Sequence, residues 1–439
     1  MTTTATTTTV TGAAGLATRI EDALRPALRG ALPVGLRVWD GSVAGPQGGP
    51  VVVLRDPAAL RRLLWHPGEL GAAQAYVTGE IDVEGDLGAL LDRVREVGAA
   101  RGITRPTVRA MARALPALTG LARELGVLGT PPAPPASQAA LRGRRHTPSR
   151  DRSAIHHHYD LSNAFYELVL DPHLAYSCAL WSGDPTQTLE EAQGAKLEVV
   201  CRKLGLTEGS RLLDVGCGWG SLSLYAAEHH GARVTGVTIA AEQKAFIDAR
   251  IRERGLGDLV EIRLQDYREV VDGPYDAVAS LEMGEHVGQG NYPTYVAALR
   301  RAVRPGGRVL VQQMSRHDGH PGGGPFIEAF IAPDMHMRPV AGTVALVEAG
   351  GLEVRGVEAL REHYVWTVDA WARTLEANWD RAVELVGEEV ARVWRLYLVG
   401  SSQAFRDARM GVDQILARRP DGPVGPLGTG VSAASAASA

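Results

Sequence analysis

Leu212-Leu213-Asp214-Val215-Gly216-Cys217-Gly218-Trp219-Gly220 sets a glycine-paved turn directly after a short apolar strand and before an amphipathic segment. Glycines let the backbone approach a ligand with no Cβ in the way, and a helix that follows points its free amides into the same crevice. A dinucleotide site would need G-x-G-x-x-G and an acid about 20 residues on to hold a ribose hydroxyl. The spacing here is G-x-G-x-G instead. The next strand runs out into Thr238-Ile239-Ala240-Ala241-Glu242-Gln243, whose neutral polar groups suit an adenosine better than a nicotinamide dinucleotide. The stretch predicts an S-adenosylmethionine pocket.

Strand and helix patterns alternate outward from this turn. Candidate strands are Arg211 to Val215, Arg233 to Val237, Val260 to Leu264, Tyr275 to Ser280, Arg308 to Gln312 and Leu352 to Val357, with helical periodicity between them. Such alternation predicts an α/β, doubly wound, mainly parallel sheet. Thr188-Leu189-Glu190-Glu191 reads as a capping box opening a helix from Leu189 to Leu204, which delivers Lys203 just before the first strand. Upstream, Val51 to Leu54 reads as a strand, and Pro57 to Leu64 and Leu87 to Val97 as helices. A proline-rich and then arginine-rich stretch, 131–150, separates a smaller amino-terminal α/β domain at 13–130 from a domain at 151–419. Residues 1–12 and 420–439 have the composition of disordered tails.

With 439 residues and 45% hydrophobic content the chain is long enough for two cores. A net charge of −4 argues against general nucleic-acid affinity, which needs a basic face. The three cysteines, Cys178, Cys201 and Cys217, form no disulfide framework and lack zinc-ligand spacing, which fits a reducing cytoplasm. The beginning Met1-Thr2-Thr3-Thr4 has no basic region or apolar core, and no run of about 18 apolar residues follows anywhere, so the expectation is a protein neither secreted nor membrane-spanning. His156-His157-His158 lacks an Asp or Cys partner at ligand spacing, so no metal is expected. Arg142, Arg144, Arg145, Arg150 and Arg152 read either as a solvated linker or as attraction to anionic headgroups.

Several separated motifs together resemble one family, the cyclopropane-fatty-acid synthases and their mycolic-acid-modifying relatives. They are His158-Tyr159-Asp160-Leu161-Ser162-Asn163, Tyr176-Ser177-Cys178-Ala179, Leu189-Glu190-Glu191-Ala192-Gln193, the glycine loop, Gln265-Asp266-Tyr267-Arg268, Gly284-Glu285-His286-Val287-Gly288 and Asn291-Tyr292. Gly68-Glu69-Leu70-Gly71 and Ala75 to Glu80 are similar to the amino-terminal, lipid-interacting domain of the longer bacterial members. The resemblance implies a Rossmann-like class I methyltransferase domain that methylates the cis double bond of phospholipid acyl chains such as oleoyl. Cofactor contacts would then fall on Tyr159, Tyr176, Ser177, Asp214, Gly216, Gly218, Thr238 and Gln243, with Tyr267 and Arg268 near the adenine. Asp214 reads equally as a cap on the strand-to-helix turn.

The same resemblance implies a bound bicarbonate as base, held by Cys178, Glu285, the residue at 312, the Met314 backbone and Tyr364. This sequence places Gln312 where the family has a histidine, and glutamine hydrogen-bonds but does not titrate. His286 assists Glu285 or orders its loop. The product expected is a cyclopropane or, on account of Gln312, a methylene-branched chain. Peripheral contact with the inner face of the membrane, a reductase partner and a homodimer complete the family-derived expectations. A methyltransferase for a soluble small molecule and an inactive lipid-binding scaffold are the competing readings. Phe326, Ile327, Phe330 and Ile331, and Trp366, Trp371 and Trp379, read as pocket lining or as core, with core preferred for the first set.

Overall fold

The computed structural model describes residues 15–103, 108–139, 163–317, 319 and 321–422. Tyr159, the histidine run, the arginine cluster and almost all of both tails lie outside them. The described residues pack as two compact units. One draws on Met1–Gln193, Arg316–Met337 and Leu360–Gly411, and the other on Gly194–Ser315, Arg338–Ala359 and Val412–Ala439. The units interleave along the chain, so packing and the sequence cut at 131–150 partition the molecule differently.

The amino-terminal elements are α1 (Leu16–Leu28), β1 (Gly35–Val38), β2 (Val43–Ala44), β3 (Val51–Leu54), α2 (Ala58–Trp65), α3 (Glu69–Val77), β4 (Ile81–Glu84), α4 (Leu87–Ala100) and α5 (Val108–Glu124). Four strands form a small sheet in the order β2-β1-β3-β4, with β1 and β3 parallel and the outer pairs antiparallel. Asp86 caps α4 by accepting from Ala89 N at 2.6 Å, which satisfies one of the amides left open at a helix start. Leu16, Ile20, Leu36, Val38, Leu54 and Leu60 close the core of this sheet.

The chain continues with α6 (Asn163–Val169), α7 (Leu189–Leu204), β5 (Arg211–Val215), α8 (Ser221–His230), β6 (Arg233–Thr238), α9 (Ala241–Glu253), β7 (Val260–Leu264), β8 (Tyr275–Leu281), α10 (Tyr292–Ala302) and β9 (Val303–Arg316). Next come α11 (Pro325–Phe330), α12 (Val340–Ala349), β10 (Glu353–Ala359), α13 (Arg361–Ala377), α14 (Trp379–Arg406, broken at Gly387) and β11 (Met410–Arg418). The expected capping box forms: Glu191 N donates to Thr188 Oγ1 at 3.2 Å and Thr188 N to Glu191 Oε2 at 2.8 Å.

Within the first unit the α13 and α14 helices pack together, and Arg392 on α14 is buried against the amino-terminal strands. Its guanidinium donates to Tyr76 O at 2.6 Å and Ile81 O at 2.9 Å, pairs with Asp82, and stacks 4.4 Å from the Tyr76 ring centre. Phe326, Phe330 and Ile331 sit in a core with Ala73, Val77 and Val393. Core was the preferred expectation for them.

The second unit is the doubly wound sheet, ordered β10-β11-β9-β8-β5-β6-β7. Strands β5, β6, β7, β8 and β9 run parallel where they pair, while β10 pairs antiparallel with β11. Two apolar layers cover its faces, one around Leu212, Val234, Ile262 and Leu310, the other around Leu213, Val278, Val309 and Val311. Alternate residues of a strand point to opposite faces, so Leu212 and Leu213 serve different layers. Each such fully buried leucine or valine contributes about 1.5–3 kcal/mol. Ligands of this fold gather at the carboxyl ends of the strands, where β5, β6, β7 and β8 all deliver their loops.

Candidate active site

At the end of β5 the backbone turns through Gly216 (φ +77°) and Gly218 (φ +54°), a left-handed conformation that residues with a Cβ rarely adopt. A Cβ on Gly216 would stand 3.0 Å from Met283 Cγ, whereas around Gly218 a Cβ would meet no atom within 4 Å. The amides of Gly216 and Cys217 both donate to Val237 O, at 3.0 and 3.1 Å. Those two amides are committed to the sheet. The open ground lies at Gly218.

Asp214 is buried beneath this turn and accepts from Ser223 Oγ, on the first turn of α8, at 2.7 Å. Burial pushes its carboxyl up to about 6 against the opposing effects of Ser223 and Lys196. The bond to Ser223 makes it the brace of the strand-to-helix turn. At the end of β6, Thr238 Oγ1 donates to Gln243 Oε1 at 2.9 Å and accepts from Ala240 N at 3.1 Å. After β7, Arg268 clasps Asp266 with two bonds of 2.8 and 2.6 Å and lies 5.4 Å from the Tyr267 ring centre. Arg268 thus holds the half-buried Asp266, and an acid at a strand end is a natural acceptor for ligand hydroxyls.

Beyond β8, Glu282 adopts φ +51° and Glu285 follows in a short helical turn, fully buried. Neither Glu285 oxygen has a hydrogen-bond partner among the described residues. Burial pushes this carboxyl up to about 8, with the nearby charge of Glu282 adding to the effect. The backbone amides of Glu285 and Met314, and the Arg338 cation, act in the opposite direction. His286 is half-buried beside it in the same turn.

Gln312 is fully buried on β9 and spends both ends of its amide: Nε2 donates to Glu282 Oε1 and Oε1 accepts from Gln414 Nε2, each at 2.8 Å. Lys203 donates to Gln414 Oε1 at 2.6 Å and pairs with Glu358.

The remaining predicted residues belong to the first unit. Tyr176 O–H bonds Tyr397 at 2.9 Å, and the Tyr176 ring lies among Tyr166, Trp371 and Trp394 at centroid distances of 6.0, 5.4 and 5.9 Å. Ser177 is buried, its carbonyl accepting from Gln193 Nε2 at 2.8 Å. The Cys178 thiol, also buried, donates toward Ala179 O and Leu360 O. Tyr364 stacks on Phe405 at 4.5 Å and meets Trp371 edge-on. Trp371 is core, Trp366 is exposed, and Trp379 stacks under Arg395. Among the described residues there is no cluster that could hold a metal and no helix long and apolar enough to cross a membrane.

Sequence reasoning overlooked Arg338, which is buried between Met337 and Pro339 and aims at the same region as Glu285. A lone arginine in that run is the only signal it leaves. Gln414 was likewise invisible, because its role depends on Gln312 and Lys203, far along the chain.

The glycine turn and strand-end polar groups on a doubly wound sheet define a class I S-adenosylmethionine-dependent methyltransferase. Residues 146–415 match the family described as mycolic acid cyclopropane synthetase, and the chain belongs to it. It is 37% identical over 400 residues to a probable fatty acid methyltransferase of Mycobacterium tuberculosis, covering 89% of this chain and 92% of that one. A tuberculostearic acid methyltransferase of the same organism is 31% identical over 405 residues, covering 87% of each. Among solved structures, the mycolic acid cyclopropane synthase CmaA1 complexed with SAH and CTAB is similar with a TM-score of 0.57 and 31% identity. That likeness covers 61% of this chain and 98% of that one.

Proposed function

We propose that this protein methylates the cis double bond of an unsaturated phospholipid acyl chain, oleoyl being the simplest substrate, and releases a methylene-branched chain. The observation that carries the reading is Glu285: a fully buried carboxyl with neither oxygen hydrogen-bonded to a side chain among the described residues, in the loop whose Met283 stands against Gly216. The open space at Gly218 and the polar groups of Thr238, Gln243 and Asp266 fit a nucleoside-bearing cofactor. When bound, S-adenosylmethionine supplies an electrophilic methyl group. Tyr176, Ser177, Tyr267 and Arg268 complete the residues assigned to it by resemblance.

Methyl addition to an alkene leaves a positive carbon, and the reaction ends only when a proton departs. Glu285, neutral near pH 7, offers no strong nucleophile to trap that carbon, yet its O–H can donate to and orient a base beside it. Bicarbonate would be that base by resemblance, held by Cys178, Glu285, the Met314 backbone and Tyr364, with His286 assisting Glu285. Gln312 cannot titrate and has both ends engaged, which slows proton removal and lets a hydride shift precede it. Loss of a proton from the new methyl then gives the exocyclic methylene. The relatives named as fatty acid methyltransferases support methyl transfer to a fatty acyl chain.

Residues 13–130 serve as a lipid-interacting domain, 151–419 as the methyltransferase domain, and the protein works at the cytoplasmic face of the membrane. A reductase consumes the methylene product, and a homodimer is the proposed assembly. Mass spectrometry of lipids from a host expressing the protein tests the substrate and product together. One carbon gained at the former double bond, as a branch, is the expected result; rings alone would overturn the methylene product, and unaltered acyl chains the whole reading.

A further inference from the structure

Arg338 is 5% exposed, and neither of its terminal nitrogens has a hydrogen-bond partner among the described residues. Its Nε donates to Gln289 Oε1 at 3.0 Å, and its guanidinium carbon lies over the Tyr292 ring, 4.0 Å from the centre. These two contacts fix the plane of the fork and leave its two-pronged end unused. A buried cation without partners is costly, and an arginine fork presents two parallel donors that match a planar anion. Tyr292 links the two residues: a Cβ on Gly284, next to Glu285, would stand 3.4 Å from the Tyr292 hydroxyl, and Arg338 lies over the same ring, yet Arg338 and Glu285 form no ion pair among the described residues. The Tyr292 hydroxyl donates to Gln313 Oε1 at 2.6 Å and Gln313 Nε2 to Thr343 Oγ1 at 3.0 Å, so these neighbours are satisfied without the fork. The buried hydroxyl of Tyr295 also lacks a hydrogen-bond partner among the described residues.

We propose that Arg338 and Glu285 together form a binding site for a small planar oxyanion, the Arg338 fork donating to two of its oxygens and Glu285 bonding to the third. This rests on the methyl-transfer reading and deepens it, because it moves the charge complement of the anion from the residue at 312 to Arg338. Gln312 is neutral and cannot supply that charge, and one of its N–H groups and its oxygen are already bonded to Glu282 and Gln414. A neutral carboxyl donates to an anion where a charged one would repel it, so the burial of Glu285 and the charge of Arg338 act in the same direction. Arg338 is in this account a binding residue for the base, without covalent chemistry of its own.

The test is calorimetric titration of the full-length protein, saturated with S-adenosylhomocysteine, with sodium bicarbonate and with sodium nitrate, a second planar three-oxygen anion, against sodium chloride of equal ionic strength. Saturable binding to the wild type is expected, weakened about tenfold or more in Arg338→Gln. S-adenosylhomocysteine affinity within about twofold of wild type certifies that the variant is folded. Where Arg338→Gln fails that check, Arg338→Lys, which keeps the charge but loses the fork, carries the comparison, with weaker binding expected. Absence of anion binding to the wild type, equal binding by the Arg338 variant, or an equal loss in Gln312→Met would each overturn the inference. If S-adenosylhomocysteine itself fails to bind the wild type, the methyl-transfer reading falls; if only the anion titration fails, this inference falls alone.

Discussion

Gln414 Nε2 donates to Gln312 Oε1 at 2.8 Å, and this bond decides which way the Gln312 amide faces. Its direction is set from outside: Lys203 has only donors to offer, so Gln414 must turn its oxygen to it and its nitrogen inward. The Gln312 nitrogen then faces Glu282. Replacing Gln414 by leucine strands a buried carbonyl on Gln312, and the expected loss is about 1–3 kcal/mol in urea unfolding. Lys203→Met, at a part-exposed position, should cost less than Gln414→Leu; the reverse order would contradict the relay.

Gly216→Ala places a Cβ 3.0 Å from Met283 Cγ in a backbone region hostile to side chains. We expect a stability loss of about 1–3 kcal/mol together with weakened S-adenosylmethionine binding. Gly218→Ala, with room for the methyl group, carries the backbone strain alone and should be less destabilising in the unliganded protein. Thermal melts of the two variants with and without cofactor decide it.

Glu285 gives a pH signature. Its carboxyl is raised from 4.5 to about 8 in the folded protein, so between these values the native state holds a proton that the unfolded state has released. Stability attributable to this group therefore falls as pH rises through that window. Glu285→Gln removes the titration, so its stability relative to wild type should rise from pH 5 to pH 8.5 by an amount on the order of a few kcal/mol. Denaturant midpoints at the two pH values measure it, and parallel curves would refute the assignment.

The three cysteines are all buried, and burial pushes the Cys201 thiol up to about 12 and raises that of Cys217 as well. Thiolate is the reactive form, so native protein should react with a thiol reagent at pH 8 far more slowly than unfolded protein. Titration in guanidinium should release all three thiols. Rapid reaction of a native cysteine would contradict the packing around α7 and β5.

The sheet was legible because its strands are short apolar runs punctuated by glycine and helix caps. Arg211 to Val215 and Val260 to Leu264 coincide with β5 and β7, and Leu189 to Leu204 with α7. Strand β11 escaped because Asp413 and Gln414 interrupt its apolar pattern, and the role of Gln414, its bond to Gln312, is a contact between residues about a hundred positions apart. Local motifs exposed Glu285 and the glycine turn. Arg338 stayed hidden for the opposite reason: its meaning lies in an unused fork, and only three-dimensional packing shows which donors lack partners.

The most direct trial of the central claim supplies S-adenosylmethionine with a 13C-labelled methyl group and vesicles of a dioleoyl phospholipid to the purified protein. The account predicts that the label enters the acyl chain at the former double bond, with one S-adenosylhomocysteine formed per carbon transferred. Label found on the headgroup, or left on the donor while the donor is bound, would contradict it.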